Sequence, residues 1–571
     1  MAREEHIRAL GQVLIEQGLL SGEQLEEALK KQKQGDKSLG ALLEEMGYLR
    51  EEALLHTLGG YLGYEVINLE AIDIPAEVLR KIPPSTCQLN GVIPISFEDD
   101  VLKVALADPF NIAIIDELRF MLGVMVQGVL AKEEAVWGFI ASHFGTEESL
   151  DDVIQEVTTE VAGMGTGDLG EGDESKKLSE LATKAPVVEL LNRVILQAVE
   201  RRASDIHFEP FEKSYKIRYR IDGACYEVAA PPKGLSVAVA SRIKVLANMD
   251  VAESRLPQDG RIMITVGKRD VDLRVSTLPT VFGESIVMRV LDKGVVSLSI
   301  DQIGLSENLK KSIISSITKP NGIFLLTGPT GSGKTTTLYS CLKHVNTIET
   351  KVITTEDPVE YDIPGIIQVP INPKIDLTFA AVLRSILRQD PDIIMVGEIR
   401  DTETARIAVQ SALTGHLVFS TLHTNDAPSA VTRLMDMEIE PFLISSTVQA
   451  VLAQRLVRKI CTDCREERVP SPEEIELLGL TKKDIAGRAF FTGAGCAACN
   501  GAGFKGRVGI FELFLITEKI REMIVRRERS SEIKRVAMES GMRTLREDGL
   551  SKAYEGVTTP GEVLKVTQSY L

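Results

Sequence analysis

The sequence predicts an α/β protein of several domains, and three observations carry that prediction. The chain has 571 residues, and at about 100–200 residues per domain that is more than one hydrophobic core sustains. From about residue 296 onward, apolar strand-like runs alternate with helical stretches, the rhythm of a parallel sheet with crossover helices. Within that region Ile323-Phe324-Leu325-Leu326-Thr327 runs straight into a glycine-rich turn and then a helical pattern. Hydrophobic residues at 44% and charged residues at 26% are the balance of an ordinary globular protein. Sixty-five Lys and Arg against 82 Asp and Glu leave a net charge of −17, which argues against a protein that grips nucleic-acid phosphates over its whole surface. No apolar run approaches the roughly 20 residues of a membrane-spanning helix. The start, Met1-Ala2-Arg3-Glu4-Glu5-His6, has no apolar secretory segment. The expectation is a cytoplasmic chain that meets a membrane only through partners.

Residues 1–65 hold an internal repeat: Leu10-Gly11, Gly18-Leu19-Leu20 and Leu25 recur in the same spacing as Leu39-Gly40, Gly47-Tyr48-Leu49 and Leu54. Each copy reads as a short helix, a glycine stop and an amphipathic helix. Residues 66–145 mix strand-like runs (Gly91–Ile95, Leu102–Leu106) with helical ones and predict a small α/β domain. Residues 146–176 are acidic and glycine-rich, with little to bury, and predict a flexible linker. Residues 177–295 read as a helix (Val187–Ala198) followed by alternating strands such as Tyr215–Ile221 and Val271–Val275. Residues 296–571 carry the βαβ pattern.

Gly328-Pro329-Thr330-Gly331-Ser332-Gly333-Lys334-Thr335, followed by Thr336, is G-x4-G-K-[ST] between a strand and a helix, the context that makes it a phosphate-binding loop. The glycines let the backbone curl so that its N–H groups face phosphate oxygens, and the helix N-terminus adds a favourable dipole. Lys334 is placed to reach β- and γ-phosphates, and Thr335 to hold Mg²⁺. A second apolar strand, Ile393–Val396, ends in Gly397-Glu398, and a third, Val352–Thr355, ends in Glu356-Asp357-Pro358-Val359-Glu360. A lone acid usually sits on a solvated loop. Acids at the C-terminal ends of adjacent parallel strands instead converge on the phosphate crevice, where one can polarise water. Thr414-Gly415-His416 and Leu422-His423-Thr424 bracket another apolar strand. His423 falls at its C-terminal, phosphate end, whereas His416 at the opposite end reads as structural.

The chain has seven Cys, an odd number. Cys461-Thr462-Asp463-Cys464 and Cys496-Ala497-Ala498-Cys499 form two C-x2-C knuckles, a set that suits tetrahedral, structural Zn²⁺. Cys87, Cys225 and Cys341 read as small core residues.

The phosphate loop, the Glu356–Glu360 box, Asp390-Pro391-Asp392 running into Gly397–Asp401, and the two histidine boxes resemble the secretion ATPase superfamily over roughly residues 177–571. These are the hexameric motors of type II secretion and type IV pili. The resemblance implies a RecA-like ATPase core at 296–571 with a zinc subdomain at about 458–510, preceded by a PAS-like α/β domain at 177–295. It makes Glu356 part of the family's Asp box, Glu398 its Walker B glutamate, and His416 and His423 its His box. Arg274 and Arg289 match family segments whose arginines reach the nucleotide, with Arg507 a weaker match. Implied with these are ATP and Mg²⁺ as ligands and a homohexameric ring recruited to the inner face of the bacterial inner membrane. Its partners there are an inner-membrane platform protein and cytoplasmic accessory proteins. The N-terminal repeat resembles the paired motif of family domains that bind cyclic di-GMP, through Leu10, Gly11, Gln32 and the nearby Arg8. Ala9 and Ser38 stand where that motif has Arg, and Tyr61 replaces its closing Gln, so a helical docking module is the other reading. The cysteine knuckles and the N-terminal extension favour pilus assembly over retraction, and type II secretion is the alternative. A nucleic-acid translocase is opposed by the net charge.

Overall fold

The computed structural model describes residues 14–15, 17–32, 39–109, 111–144, 150, 153–155, 158, 185–266, 269–292, 299–481, 485 and 488–567. Two compact units divide the chain, Met1–Val295 and Val296–Leu571.

The first unit opens with helices Gly22–Gln32, Leu39–Glu45 and Glu51–Leu62. They pack through Leu20, Ala28, Leu43, Leu54 and Leu58. The repeat is visible in the backbone. Gly18 and Gly47 have φ of 71° and 69°, a left-handed conformation that glycine adopts without penalty. The following amides fold back identically, Leu19 N to Leu14 O and Tyr48 N to Leu43 O, both at 2.9 Å. A four-stranded sheet follows, from β1 (Glu65–Val66), β2 (Val92–Glu98), β3 (Val101–Leu106) and β4 (Met125–Leu130), in the order β1-β4-β3-β2.

The segment expected as a linker lies outside the described residues, apart from Leu150, 153–155 and Thr158. Leu150 and Val153 are buried with Val187, Leu191 and Val194. Their apolar side chains anchor this end of the segment in the next core, which the acidic composition around them conceals. Helix Ala185–Glu200 covers a six-stranded antiparallel sheet. Its strands are β5 (Asp205–Pro210), β6 (Tyr215–Ile221), β7 (Ala224–Ala229), β8 (Gln258–Val266), β9 (Arg269–Thr280) and β10 (Gly283–Asp292), ordered β7-β6-β5-β10-β9-β8.

The second unit is built on seven strands: β11 (Gly322–Thr327), β12 (Val352–Glu356), β13 (Ile366–Pro370), β14 (Ile393–Val396), β15 (Leu417–Leu422), β16 (Val448–Ile460) and β19 (Phe504–Leu515). They run in the order β13-β12-β14-β15-β11-β16-β19. β11, β12, β14 and β15 are buried at every position, as strands covered by helices on both faces must be. The parallel rhythm ends at β16, which pairs antiparallel with β19. Between them lies a small insertion with its own antiparallel pair, β17 (Arg465–Arg468) and β18 (Phe490–Gly493).

Candidate functional site

The glycine-rich turn joins β11 to helix Lys334–Val345. Its shape depends on missing side chains: Gly328, Gly331 and Gly333 have φ of 150°, 77° and 85°. A Cβ on Gly328 would lie 2.7 Å from the carbonyl oxygen of Gln454. Lys334 Nζ folds onto the loop and donates to Gly328 O at 2.7 Å and Pro329 O at 3.0 Å. Burial lowers its pKa to about 8; Glu398 opposes that shift and Arg455 adds to it. Ser332 Oγ and Thr327 Oγ1 are buried around the loop without a partner. Orphaned hydroxyl donors beside the half-buried Lys334 ammonium are what a phosphate chain would satisfy. Pro329, Thr330 and Thr335 are exposed on the loop and first helical turn, and Thr336 is half-buried. The exposed hydroxyl of Thr335 and the carboxylate of Glu398 are hard oxygen donors of the kind Mg²⁺ takes.

Glu398 follows β14 and is mostly buried. Its carboxylate pairs with Arg400, and His423 Nε2 lies 3.2 Å from its other oxygen. Burial alone would raise this carboxyl, but Arg400 and then His423 outweigh it and hold it below the usual range. Arg400 also lies 3.8 Å from Asp357. Gly397 stands where most phosphate-loop enzymes carry an Asp, and a Cβ there would press to 3.2 Å from Thr355 O. His416, at the far end of β15, is held locally, its Nδ1 2.9 Å from Ser411 O and 3.2 Å from Thr414 Oγ1.

Glu356 is turned inward. It is 3% exposed and accepts from Tyr339 Oη, from Thr354 Oγ1 at 2.6 Å and from Gln368 Nε2 at 2.9 Å. The two acids expected to converge are therefore unequal: Glu398 lies beside Arg400 and His423, whereas Glu356 is sealed among neutral donors.

In the first unit, Arg274 and Arg289 are directly opposite each other in the β9–β10 register. Arg220, Asp205, Arg289, Arg274 and Arg261 form one row across five strands. Asp205 lies 3.4 Å from Arg289 and 3.6 Å from Arg220. Arg507 is exposed on β19, opposite Arg458. Arg8, Leu10 and Gly11 lie outside the described residues, and Gln32 ends helix Gly22–Gln32.

Cys461, Cys464, Cys496 and Cys499 converge, all four Sγ atoms lying within 4.8 Å of one another. Cys461–Cys496 and Cys464–Cys499 are 3.8 Å apart and Cys496–Cys499 3.7 Å. Four sulfurs about 2.3 Å from a tetrahedral Zn²⁺ would be about 3.8 Å apart, so the donor set fits the ion. The N–H groups of Gly495, Cys496 and Gly503 donate to these sulfurs. A Cβ on Gly493 would sit 2.0 Å from Gly503 O, so two glycines let the knuckle backbones touch.

Sequence reasoning missed Arg400, Tyr339, Gln368 and Arg455. Arg400 was legible as the arginine two residues past Glu398. The others come from separate elements and carry no local signal.

A family model described as a type II/IV secretion system protein matches residues 180–565. The chain belongs to the type II/IV secretion family of ATPases. An MshEN domain model matches residues 62–150, so this family member carries that domain, with the helical repeat largely ahead of the matched span. The type IV pilus assembly ATPase PilB of Myxococcus xanthus is 41% identical over 559 residues, covering 97% of this chain and 98% of that protein. Type II secretion system protein E of Xanthomonas campestris pv. campestris is 43% identical over 561 residues, covering 98% of each. The Legionella pneumophila ATPase DotB shares the fold, with a TM-score of 0.51 at 22% identity over 66% of this chain and 95% of that one. Among the described residues no helix of this secretion-family chain is long and apolar enough to cross a membrane.

Proposed function

We propose that this chain is a Mg²⁺-dependent ATP hydrolase that powers type IV pilus assembly as a homohexamer at the cytoplasmic face of the inner membrane. The reading rests on the Lys334, Glu398 and His423 constellation at the C-terminal ends of β11, β14 and β15, in a chain that aligns end to end with a pilus assembly ATPase. Lys334 exchanges its loop carbonyls for the β- and γ-phosphates of ATP. Thr335 holds Mg²⁺, which supplies charge neutralisation for the phosphates. Glu398, oriented by Arg400 and His423, accepts the proton of the attacking water. Glu356 keeps Tyr339 and Gln368 in place behind it. Arg274 and Arg289 bring guanidinium charge to the γ-phosphate. Cys461, Cys464, Cys496 and Cys499 bind a structural Zn²⁺. The helical repeat with Arg8, Leu10, Gly11 and Gln32 takes cyclic di-GMP. An inner-membrane platform protein and cytoplasmic accessory proteins receive the motion.

The equal match to a type II secretion protein favours a second reading, secretion through a pseudopilus. One strain separates them. With Glu398→Gln as the only copy, electron microscopy should show bald cells that still secrete exoproteins. Normal pili with failed secretion would move the function to type II secretion. Unchanged ATP hydrolysis by the purified Glu398→Gln variant would overturn the mechanism.

A further inference from the structure

The loop that follows His423 is held by three buried or half-buried charged groups that the mechanism above does not use. Asp426 Oδ1 accepts from Ser429 N at 3.0 Å, and its Oδ2 lies 2.8 Å from Lys534 Nζ. Glu512, only 1% exposed on β19, accepts from Ala427 N at 2.9 Å. Burial raises the Glu512 carboxyl, an effect that the Ala427 amide and then Lys534 only partly offset. Asp426, also buried, is driven the other way: burial would raise it, but Lys534 and Ser429 together outweigh that and lower it. On its other side the loop is tied to the phosphate site. Arg455 Nη2 donates to Asn425 O at 2.9 Å and Nη1 to Gln454 O at 3.0 Å, the carbonyl that Gly328 packs against.

Buried ionic groups lose their hydration and are often replaceable by apolar side chains with no loss of stability. Their use here calls for a role in holding one conformation. We infer that Lys534, on helix Ser530–Glu539, is a positioning residue: with Asp426 and Glu512 it braces residues 424–427, which keeps His423 in register with Glu398. Displacing that loop separates His423 from the carboxylate, while Lys334 keeps its own hydrogen bonds to Gly328 O and Pro329 O. The effect therefore falls on turnover and not on nucleotide capture. This inference rests on the ATP-hydrolase reading for its kinetic half only.

The test uses the full chain with Lys534→Met, Asp426→Asn, the double variant and Lys534→Arg. Displacements of about 1 Å cost up to about 100-fold in rate. Lys534→Met should accordingly lower kcat at least about tenfold with KM for ATP within about twofold, and Lys534→Arg should recover most of the loss. The double variant should be no slower than the slower single one, because both remove the same brace. Hydrogen exchange should speed up at the Ala427 and Ser429 amides in Lys534→Met. Additive losses, unchanged kcat, or unchanged exchange at those amides would overturn the inference. A wild-type chain that hydrolyses no ATP would defeat the hydrolase reading alone, and the exchange result would still decide the brace.

Discussion

Nucleotide affinity should fall as pH rises through about 8, because the free protein loses the Lys334 proton there. Burial brings this ammonium from 10.5 to about 8, against the pull of Glu398 and with added repulsion from Arg455. A triphosphate against Nζ favours the charged form, so the bound state keeps its proton well above that pH. Binding must then take up what the free protein has lost: about 0.1 proton at pH 7, about 0.5 at pH 8 and about 0.9 at pH 9. The competent fraction of free protein drops from about one half to about one tenth between pH 8 and 9, which weakens the apparent Kd about fivefold. Isothermal titration calorimetry with a non-hydrolysable ATP analogue, run in two buffers of different ionisation enthalpy, reads the uptake directly. Lys334→Arg stays charged across the range and should bind with no such pH dependence. Uptake below about 0.2 proton at pH 9 in the wild-type chain would refute the reasoning, since a titration near pH 8 requires much more. The same shift acts oppositely on the empty fold. Between about 8 and 10.5 the unfolded chain binds more protons than the folded one, so the Lys334 contribution to stability improves as pH rises through that window.

Two further outcomes follow from the geometry. Metal analysis should find one zinc per chain, and Cys461→Ser or chelation should remove it. Because binding of a structural zinc is folding free energy, its loss should lower the unfolding midpoint by more than about 10 °C at about 2–4 °C per kcal/mol, while ATP binding persists; an unchanged midpoint would show that the cysteines do not hold a structural ion. Glu356→Gln converts one acceptor of a three-donor cluster into a donor. It should cost about 1–3 kcal/mol in denaturant unfolding as well as activity, whereas a loss of activity at full stability would make Glu356 a group of the reaction itself.

Local patterns were legible throughout this chain. The glycine stops at Gly18 and Gly47, the strand–turn–helix around Lys334 and the four-cysteine spacing each depend on neighbours within a few residues, where backbone sterics and side-chain period leave few choices. β6 runs over the residues read as its strand, and His416 sits just before the N-terminal end of β15. What the sequence by itself determined is therefore the list of parts: a phosphate loop, strand-end acids and histidines, two cysteine knuckles and a helical repeat. Only the tertiary structure decided how the parts meet. It turned Glu356 into a buried cluster and left Glu398 with Arg400 and His423. It set Arg274 opposite Arg289 by strand register, reversed β19 against β16, and closed Lys534 on Asp426 across 108 residues. These contacts depend on sheet order and register. A shift of one residue in a strand would send every side chain to the other face, and no run of neighbouring residues encodes that choice.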